Sequence, residues 1–317
     1  MRRLLAGLGL LVLLALAVGS GFLAWAHWSV RREGDPIPPP GVVRALQPGP
    51  VRISWIDTAR QPMARSAVLA ASRDPDAGAL YTMSHPSFVL EWPDGRILLV
   101  DTGMTRDQAV AFGRLIEKMS SAQPMEPQTP VAEALGPALA RVAGVVFTHL
   151  HEDHVGGLPS LCTHGPASIP VFLNDAQVDR PNWTTTAGLR LIDQARCARR
   201  VRIAGDGPLR PLPGFPGVAV FHGAGHTPGS QVIFADVQGQ RIALAGDIAN
   251  AIDGIRWDVP KPFLYSLLVV PEATGRLHAL RVWLRDLAEQ QGVNVVVSHD
   301  GAALRRSGLP AWSPPAA

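Results

Sequence analysis

Three imidazoles and one carboxylate fall within six residues, in the run His149-Leu150-His151-Glu152-Asp153-His154. Neutral imidazole and carboxylate are the donors that divalent transition metals take. Histidines this close would repel one another if protonated, and a bound cation favours the neutral, coordinating form. A polar loop whose histidines merely meet solvent is the bland alternative, and the density of the cluster argues against it. The chemistry such a centre offers is metal-assisted hydrolysis, in which a bound water is acidified from 15.7 toward about 7 and supplies hydroxide at neutral pH.

These residues need a rigid frame. Val145–Thr148 is a short apolar run that reads as a buried strand ending at the cluster, and Gly156-Gly157 beyond it suggests a tight turn free of Cβ clash. Ser87–Trp92 and Arg96–Val100, separated by Pro93-Asp94-Gly95, read as a hairpin. Helical spacing is present in 106–119, 131–142, 185–199 and 277–290, and strands are expected at 169–173, 218–222, 231–235, 241–245 and 293–298. Hairpins early and strand–helix alternation later imply an α/β chain with sheets covered by helices.

Further chemistry-bearing segments sit at predicted strand ends: Val100-Asp101-Thr102-Gly103, Gly225-His226-Thr227-Pro228-Gly229-Ser230, Ala245-Gly246-Asp247 and Ser298-His299-Asp300. Together with the central run, which has the form His-x-His-x-Asp-His, they follow in the order found in the metallo-β-lactamase superfamily, which the chain resembles over roughly residues 84–300. The resemblance implies an αββα sandwich, here preceded by an N-terminal hydrophobic helix. It also implies two metal positions, one using His149, His151 and His226 and the other Asp153, His154 and His299, with Asp247 bridging. Zinc suits these donors best, with iron or manganese as alternatives. Asp153, beside the bridging position, would accept the nucleophile's proton and pass it to the leaving group. Asp101 is either a hydrogen-bond partner of a ligand histidine or a plain turn residue.

An aspartate at 247 resembles the branches that cleave thioesters, lactones or phosphodiesters, where true β-lactamases carry other residues. The His226 motif is similar to that of glyoxalase II and acyl-homoserine lactonases. The expected function is hydrolysis, by a metal-bridged hydroxide, of a small ester, lactone or thioester. The alternatives are a metallophosphodiesterase, a β-lactam hydrolase and a non-catalytic metal-binding, membrane-associated protein. A flavodiiron-type protein is disfavoured because few residues follow His299. Residues 250–270 are the expected substrate loop, with Trp257, Phe263 and Tyr265 as candidate pocket walls and Tyr265 as a hydrogen-bond donor to an oxyanion. His222 competes weakly with His226. His27, His85, His164 and His278 read as structural, exposed or membrane-segment residues, with His85 reaching at most the pocket rim. Glu152 is expected to point away from the metals, and Ser230 reads as structural.

Residues 1–30 begin with Arg2-Arg3 and continue from Leu4 to Ala26 without a charge. That length crosses a bilayer core of ~30 Å. The segment is a signal anchor, with Trp25 and Trp28 at the interface and Arg31-Arg32 beyond, or a signal peptide cleaved near Ala24-Trp25-Ala26. The catalytic body is then expected outside the cytoplasm, anchored or secreted. Residues 31–50, with Pro36, Pro38, Pro39 and Pro40, read as an extended linker, 51–306 as the hydrolase domain and 307–317 as an irregular tail. Cys162 and Cys197 offer one disulfide in an exported protein, but spacing does not say whether they meet. A net charge of +3 with scattered arginines and no basic stripe argues against nucleic acid and leaves a small molecule as the expected partner, with the oligomeric state undetermined.

Overall fold

The computed structural model describes residues 2–31, 34–39, 41, 49–120 and 122–313. Arg32, Pro40 and 42–48 of the expected linker, and Pro314 and Pro315 of the expected tail, lie outside the described residues.

Twelve strands are described, in two sheets. The first sheet holds β1 (Arg52–Ala64), β2 (Leu80–Glu91), β3 (Ile97–Val100), β4 (Glu126–Pro127), β5 (Val142–Val146), β6 (Ile169–Leu173) and β7 (Ala198–Arg202), in the order β4-β1-β2-β3-β5-β6-β7. The second holds β8 (Leu209–Pro211), β9 (Val218–His222), β10 (Gln231–Val237), β11 (Gln240–Leu244) and β12 (Asn294–Val296), in the order β12-β11-β10-β9-β8. Side chains alternate across each sheet as a period of two requires. Val146, Phe88 and Leu98 meet Val220, Ile233 and Leu244 between the sheets. Their neighbours Val145, Val89 and Leu99 face a second core on the outside of the first sheet, and Phe221, Val232 and Phe234 a third outside the second.

Helices cover both outer faces. The chain enters through α1 (Arg2–Val30), then α2 (Arg106–Ser120), α3 (Val131–Leu135), α4 (Glu152–Val155), α5 (Leu158–His164), α6 (Asp175–Asp179), α7 (Thr186–Gln194), α8 (Ile252–Arg256), α9 (Thr274–Gln291) and α10 (Gly301–Arg306). Leu135, Leu161 and Ile192 of α3, α5 and α7 seal the second core, and Leu280, Trp283 and Leu287 of α9 seal the third. The architecture is therefore the expected mixed α/β sandwich, with the apolar helix at its N-terminus.

Some elements differ from the sequence reading. The helix expected over 131–142 stops at Leu135, where Gly136, at φ 51°, and Pro137 turn the chain into a tighter helical segment. The helix expected over 185–199 ends at Gln194, and Ala198–Arg202 instead pairs with β6 as an edge strand. Its exposed arginines hide the strand from any hydrophobic pattern. The long strand β1 lies outside the sequence expectations: Ile53–Ala59 are buried on both faces although Ser54, Asp57 and Thr58 are polar, so the sequence carries no clear strand pattern there. Gly156 and Gly157 form the expected turn, between α4 and α5, with right-handed dihedrals; a Cβ on Gly157 would stand 2.2 Å from the Thr102 carbonyl, so close packing is what requires glycine there.

Cys162 and Cys197 are joined in a disulfide that ties α5 to the start of β7. Of the expected linker, Asp35 docks on the body, its amide donating to the His222 carbonyl at 2.9 Å. In the tail, Ala311 forms a bridge with Trp55 of β1.

Candidate metal centre

Strands β3, β5 and β6 run parallel, as do β11 and β12, so their C-terminal ends open at one edge of the sandwich. Asp101 follows β3, His149 follows β5 after two residues, Asp247 follows β11 and His299 follows β12. His226 sits in the connection between β9 and β10, and α4 carries Asp153 and His154. Gly246, immediately before Asp247, has φ 55°, and a Cβ there would lie 2.8 Å from that of Thr148. The turn that aims Asp247 at the cluster thus depends on glycine.

The seven expected ligand side chains converge, all buried except His151, which is half-buried. One group of donor atoms comprises His149 Nε2, His151 Nδ1, His226 Nε2 and Asp247 Oδ2. Their separations are 3.0 Å (His149–His151), 3.3 Å (His226–His151), 3.5 Å (His226–Asp247) and 3.8 Å (His149–Asp247). A second group comprises His154 Nε2, Asp153 Oδ2, His299 Nε2 and the Asp247 carboxylate, at 3.7 Å (His154–Asp153), 3.5 Å (His299–Asp153), 3.4 Å (His154–Asp247) and 2.9 Å (His299–Asp247). A tetrahedron with bonds of 2.0–2.1 Å has edges of about 3.4 Å, so both groups have the spacing that a zinc-sized cation requires. Two buried atoms, His154 Nε2 and Asp247 Oδ1, have no hydrogen-bond partner in the protein, and both point into the second group. The donor set fits a bound metal ion.

The other nitrogen of each histidine is held. His154 Nδ1 donates to Asp101 at 2.8 Å, His226 Nδ1 to Glu272 at 2.6 Å and His299 Nδ1 to the Ser84 carbonyl at 2.8 Å. His151 Nε2 meets Thr184 Oγ1 at 3.0 Å, and His149 Nδ1 meets Thr148 Oγ1 at 3.2 Å. Such partners fix the ring and its tautomer. Asp101 holds the left-handed φ of 59° expected of a turn residue, so its two sequence readings coexist.

Sequence reasoning missed several of these groups. Glu272, fully buried, also accepts from Lys261 Nζ at 2.7 Å and Ser266 Oγ at 2.6 Å. Lys261 is one of only two lysines among 29 basic residues and lies between Pro260 and Pro262, the one signal that marked it. His85 is not at the rim: it is buried inside the centre, its Nδ1 at 3.0 Å from Asp153 Oδ2 and its ring 4.8 Å from that of His299. His222 is outside the cluster and bonds the Pro228 carbonyl at 2.9 Å. Ser230 accepts the Thr227 amide and holds the loop of His226.

Electrostatics separate the two groups. Burial, then the charge of neighbouring histidines, pushes His149 well down and His151 down to about 3. Burial and the Lys261 ammonium push His226 down. Burial would also push His154 and His299 down, but Asp101, Asp153 and Asp247 around the first, and Asp247 around the second, raise both. Burial alone would raise Asp153, yet His154 and the hydrogen bond from His85 hold it below the carboxylate range. Two carboxylates kept ionised among buried imidazoles give the centre the charge that could hold a cation.

A cavity of about 490 Å³ opens over these donors. His151, Asp153, Asp247 and His299 form its floor, while Met63, Met83, Phe112, Ile116, Trp183 and Leu268 are among its walls. No Arg or Lys is among the lining residues described. Of the three aromatics expected to wall the pocket, only Tyr265 does so; Trp257 and Phe263 are exposed outside it. Glu152 is exposed at the opening.

A family model described as the metallo-beta-lactamase superfamily matches residues 80–299. A curated relative, a ribonuclease of Thermus thermophilus, is 32% identical over 141 residues, 42% of this chain and 32% of the relative. The chain thus spans about a third of the length of that relative. Among solved structures, an N-acyl homoserine lactone hydrolase with the product N-hexanoyl-L-homoserine at its catalytic metal centre superposes with a TM-score of 0.59 at 17% identity, over 82% of this chain and 98% of the other. A quorum-quenching N-acyl homoserine lactone lactonase gives 0.55 at 18% identity, over 80% and 93%.

Proposed function

The chain belongs to the metallo-beta-lactamase superfamily, and from that premise we propose that it is a dinuclear metallohydrolase cleaving an ester, lactone or thioester with an apolar acyl part. The observation that carries the reading is the convergence of His149, His151, His226 and Asp247, and of His154, His299 and the same Asp247, beneath an apolar cavity. His149, His151 and His226 would hold one cation, Asp153, His154 and His299 the other, with Asp247 common to both. When bound, the cations supply Lewis acidity and an acidified water as nucleophile.

The chain's own residues do the rest. The apolar walls bind the acyl part and exclude water, which strengthens every charge interaction at the floor. Asp153, held ionised by His154 and His85, accepts the nucleophile's proton and returns it to the leaving oxygen or sulfur. Burial, followed by the charge of Glu272, pushes the Tyr265 phenol well up, so it keeps its proton and donates to the oxyanion that develops at the scissile carbonyl. A phosphodiester anion would find no Arg or Lys among the described lining residues, which disfavours the phosphodiesterase reading. The disulfide and the apolar α1 support a catalytic body outside the cytoplasm, joined to the membrane by α1 or released from it.

The test is metal analysis of the purified full chain together with a panel of p-nitrophenyl esters, lactones, thioesters, bis-p-nitrophenyl phosphate and nitrocefin. Two equivalents of metal and preferred turnover of acyl substrates are expected. Dominant turnover of the phosphodiester or of nitrocefin would replace the reading.

A further inference from the structure

The mouth of the cavity is ringed by large apolar side chains that face water. Leu115 and Met119 of α2, Trp183 and Leu268 line it, and Phe263 and Leu264 directly precede Tyr265 of its wall; these six are between 41 and 73% exposed. Single exposed leucines are ordinary, whereas a set around one opening marks an interaction surface. An independent feature ends at the same place. The Phe22 ring of α1 lies 5.8 Å from the Trp183 ring, and His27 Nε2 donates to the Leu267 carbonyl at 3.0 Å. Ala26 and Val30 are buried at this junction. Before it, the helix leaves the body: from Gly7 to Gly21 every residue is exposed and none is acidic or basic, and the Gly7–Val30 span reaches a mean hydropathy of 2.3. Gly7 to Trp25 at 1.5 Å per residue spans about 28 Å, close to the hydrocarbon thickness of a bilayer. A bilayer around that segment reaches the body at Trp183 and Leu267, which is the rim of the cavity.

We propose that the catalytic mouth docks on the lipid bilayer, with α1 as tether and Phe263 and Leu264 immersed among the acyl chains, and that the substrate is a long-chain acyl ester or lactone that enters from the lipid phase. The substrate half rests on the hydrolase reading above; the docking half does not. An acyl chain partitions into the bilayer with a gain of about fourfold per methylene. A mouth facing the lipid meets such a molecule at its membrane concentration, and the tail passes from the bilayer into the apolar wall of Met63, Met83, Phe112 and Ile116 without crossing water. The carbonyl then reaches the floor at Asp247.

The experiment uses the full chain in vesicles of phosphatidylethanolamine and phosphatidylglycerol. A spin label on Leu264→Cys is compared with one on Gln240→Cys, at the opposite end of β11 from the site, by collision with oxygen and with a water-soluble nickel chelate. Membrane burial at 264 and an aqueous signal at 240 are expected. An aqueous signal at 264 overturns the docking whatever the protein hydrolyses. In the same vesicles, kcat/KM for esters from butanoyl to dodecanoyl is expected to rise at least tenfold. The double variant Phe263→Ser/Leu264→Ser should lose about tenfold on the dodecanoyl ester and nothing on the soluble butanoyl ester. A flat chain-length profile, or equal loss on both, overturns entry from the lipid. If the label is immersed and no acyl substrate is cleaved, the hydrolase reading and its substrate half fall together while the docking stands.

Discussion

One oxygen of the Asp101 carboxylate accepts both the Nδ1 proton of His154 at 2.8 Å and the hydroxyl of Thr148 at 2.8 Å, while its other oxygen accepts the Thr148 amide at 2.8 Å. All three donors are buried, and an amide in place of the carboxylate would turn an NH₂ group toward one of them. Asp101→Asn is therefore expected to leave the sandwich folded but to free the His154 ring. Metal affinity should fall by about 10–100-fold, the usual cost of losing such a partner. Competition with a fluorescent chelator measures it, and an unchanged affinity would reduce Asp101 to a turn residue.

Lys261 and Glu272 form a fully buried ion pair behind His226. Breaking such a pair from one side leaves an uncompensated buried charge and costs about 3–5 kcal/mol. Lys261→Met is expected to lower unfolding stability by that amount in urea melts. Lys261→Met/Glu272→Gln should recover part of it, since the orphaned charge is gone. Equal losses in the single and double variants would mean that packing, not charge, dominates.

The contrast between these two sites shows what sequence can carry. The 149–154 run was legible because its chemistry is contiguous, and Asp101, His226, Asp247 and His299 were legible as short motifs at predicted strand ends. Glu272 lies 46 residues from the ring it holds and Thr184 lies 33 residues from His151, with no spacing rule to join them. His85 was misplaced for the same reason: it lies 68 residues from Asp153, at the irregularity in the pairing of β1 with β2. For the fold, short apolar runs such as β9 were readable, whereas β1, whose buried stretch mixes in Ser54, Asp57 and Thr58, and β7, polar on its edge, give no such run to detect.

Tyr81 and Tyr265 are the protein's only tyrosines. Burial, then nearby carboxylates, raises both phenols well above the ordinary value of 10.0. Because the folded value exceeds the unfolded one, the folded state holds these protons more tightly. The associated stability is complete below about pH 10 and is lost as pH rises through the folded values. Phenolate absorbance should thus stay flat on alkaline titration of the folded protein and rise only with unfolding. A reversible titration near pH 10 without loss of ellipticity would contradict the raised phenol of buried Tyr81, of cavity-lining Tyr265, or of both.

The Cys162–Cys197 disulfide closes a loop with a sequence separation of 35. In the chain-entropy account a loop of this length is worth about 4 kcal/mol. Urea melts with and without reductant should differ by that order, and Cys162→Ser/Cys197→Ser should match the reduced protein. Both cysteines lie outside the donor groups, so kcat under folding conditions is expected to be unchanged.

Asp247 and His226 should differ in how much metal their loss releases. The Asp247 carboxylate borders both donor groups, Oδ2 at 3.5 Å from His226 and 2.9 Å from His299 and Oδ1 at 3.4 Å from His154, whereas His226 belongs to the first group alone. His226→Ala is expected to retain one equivalent of metal, held by Asp153, His154, His299 and Asp247. Asp247→Ala should retain less than one, because each remaining group has only three donors and neither keeps the shared carboxylate. Stability should follow the same order, since a cation that binds only the folded state at a thousand times its Kd adds about 4 kcal/mol. Mass spectrometry for metal content, paired with thermal melts before and after chelation, decides the matter. If His226→Ala released both ions and Asp247→Ala only one, the shared carboxylate would not be the link between the two positions.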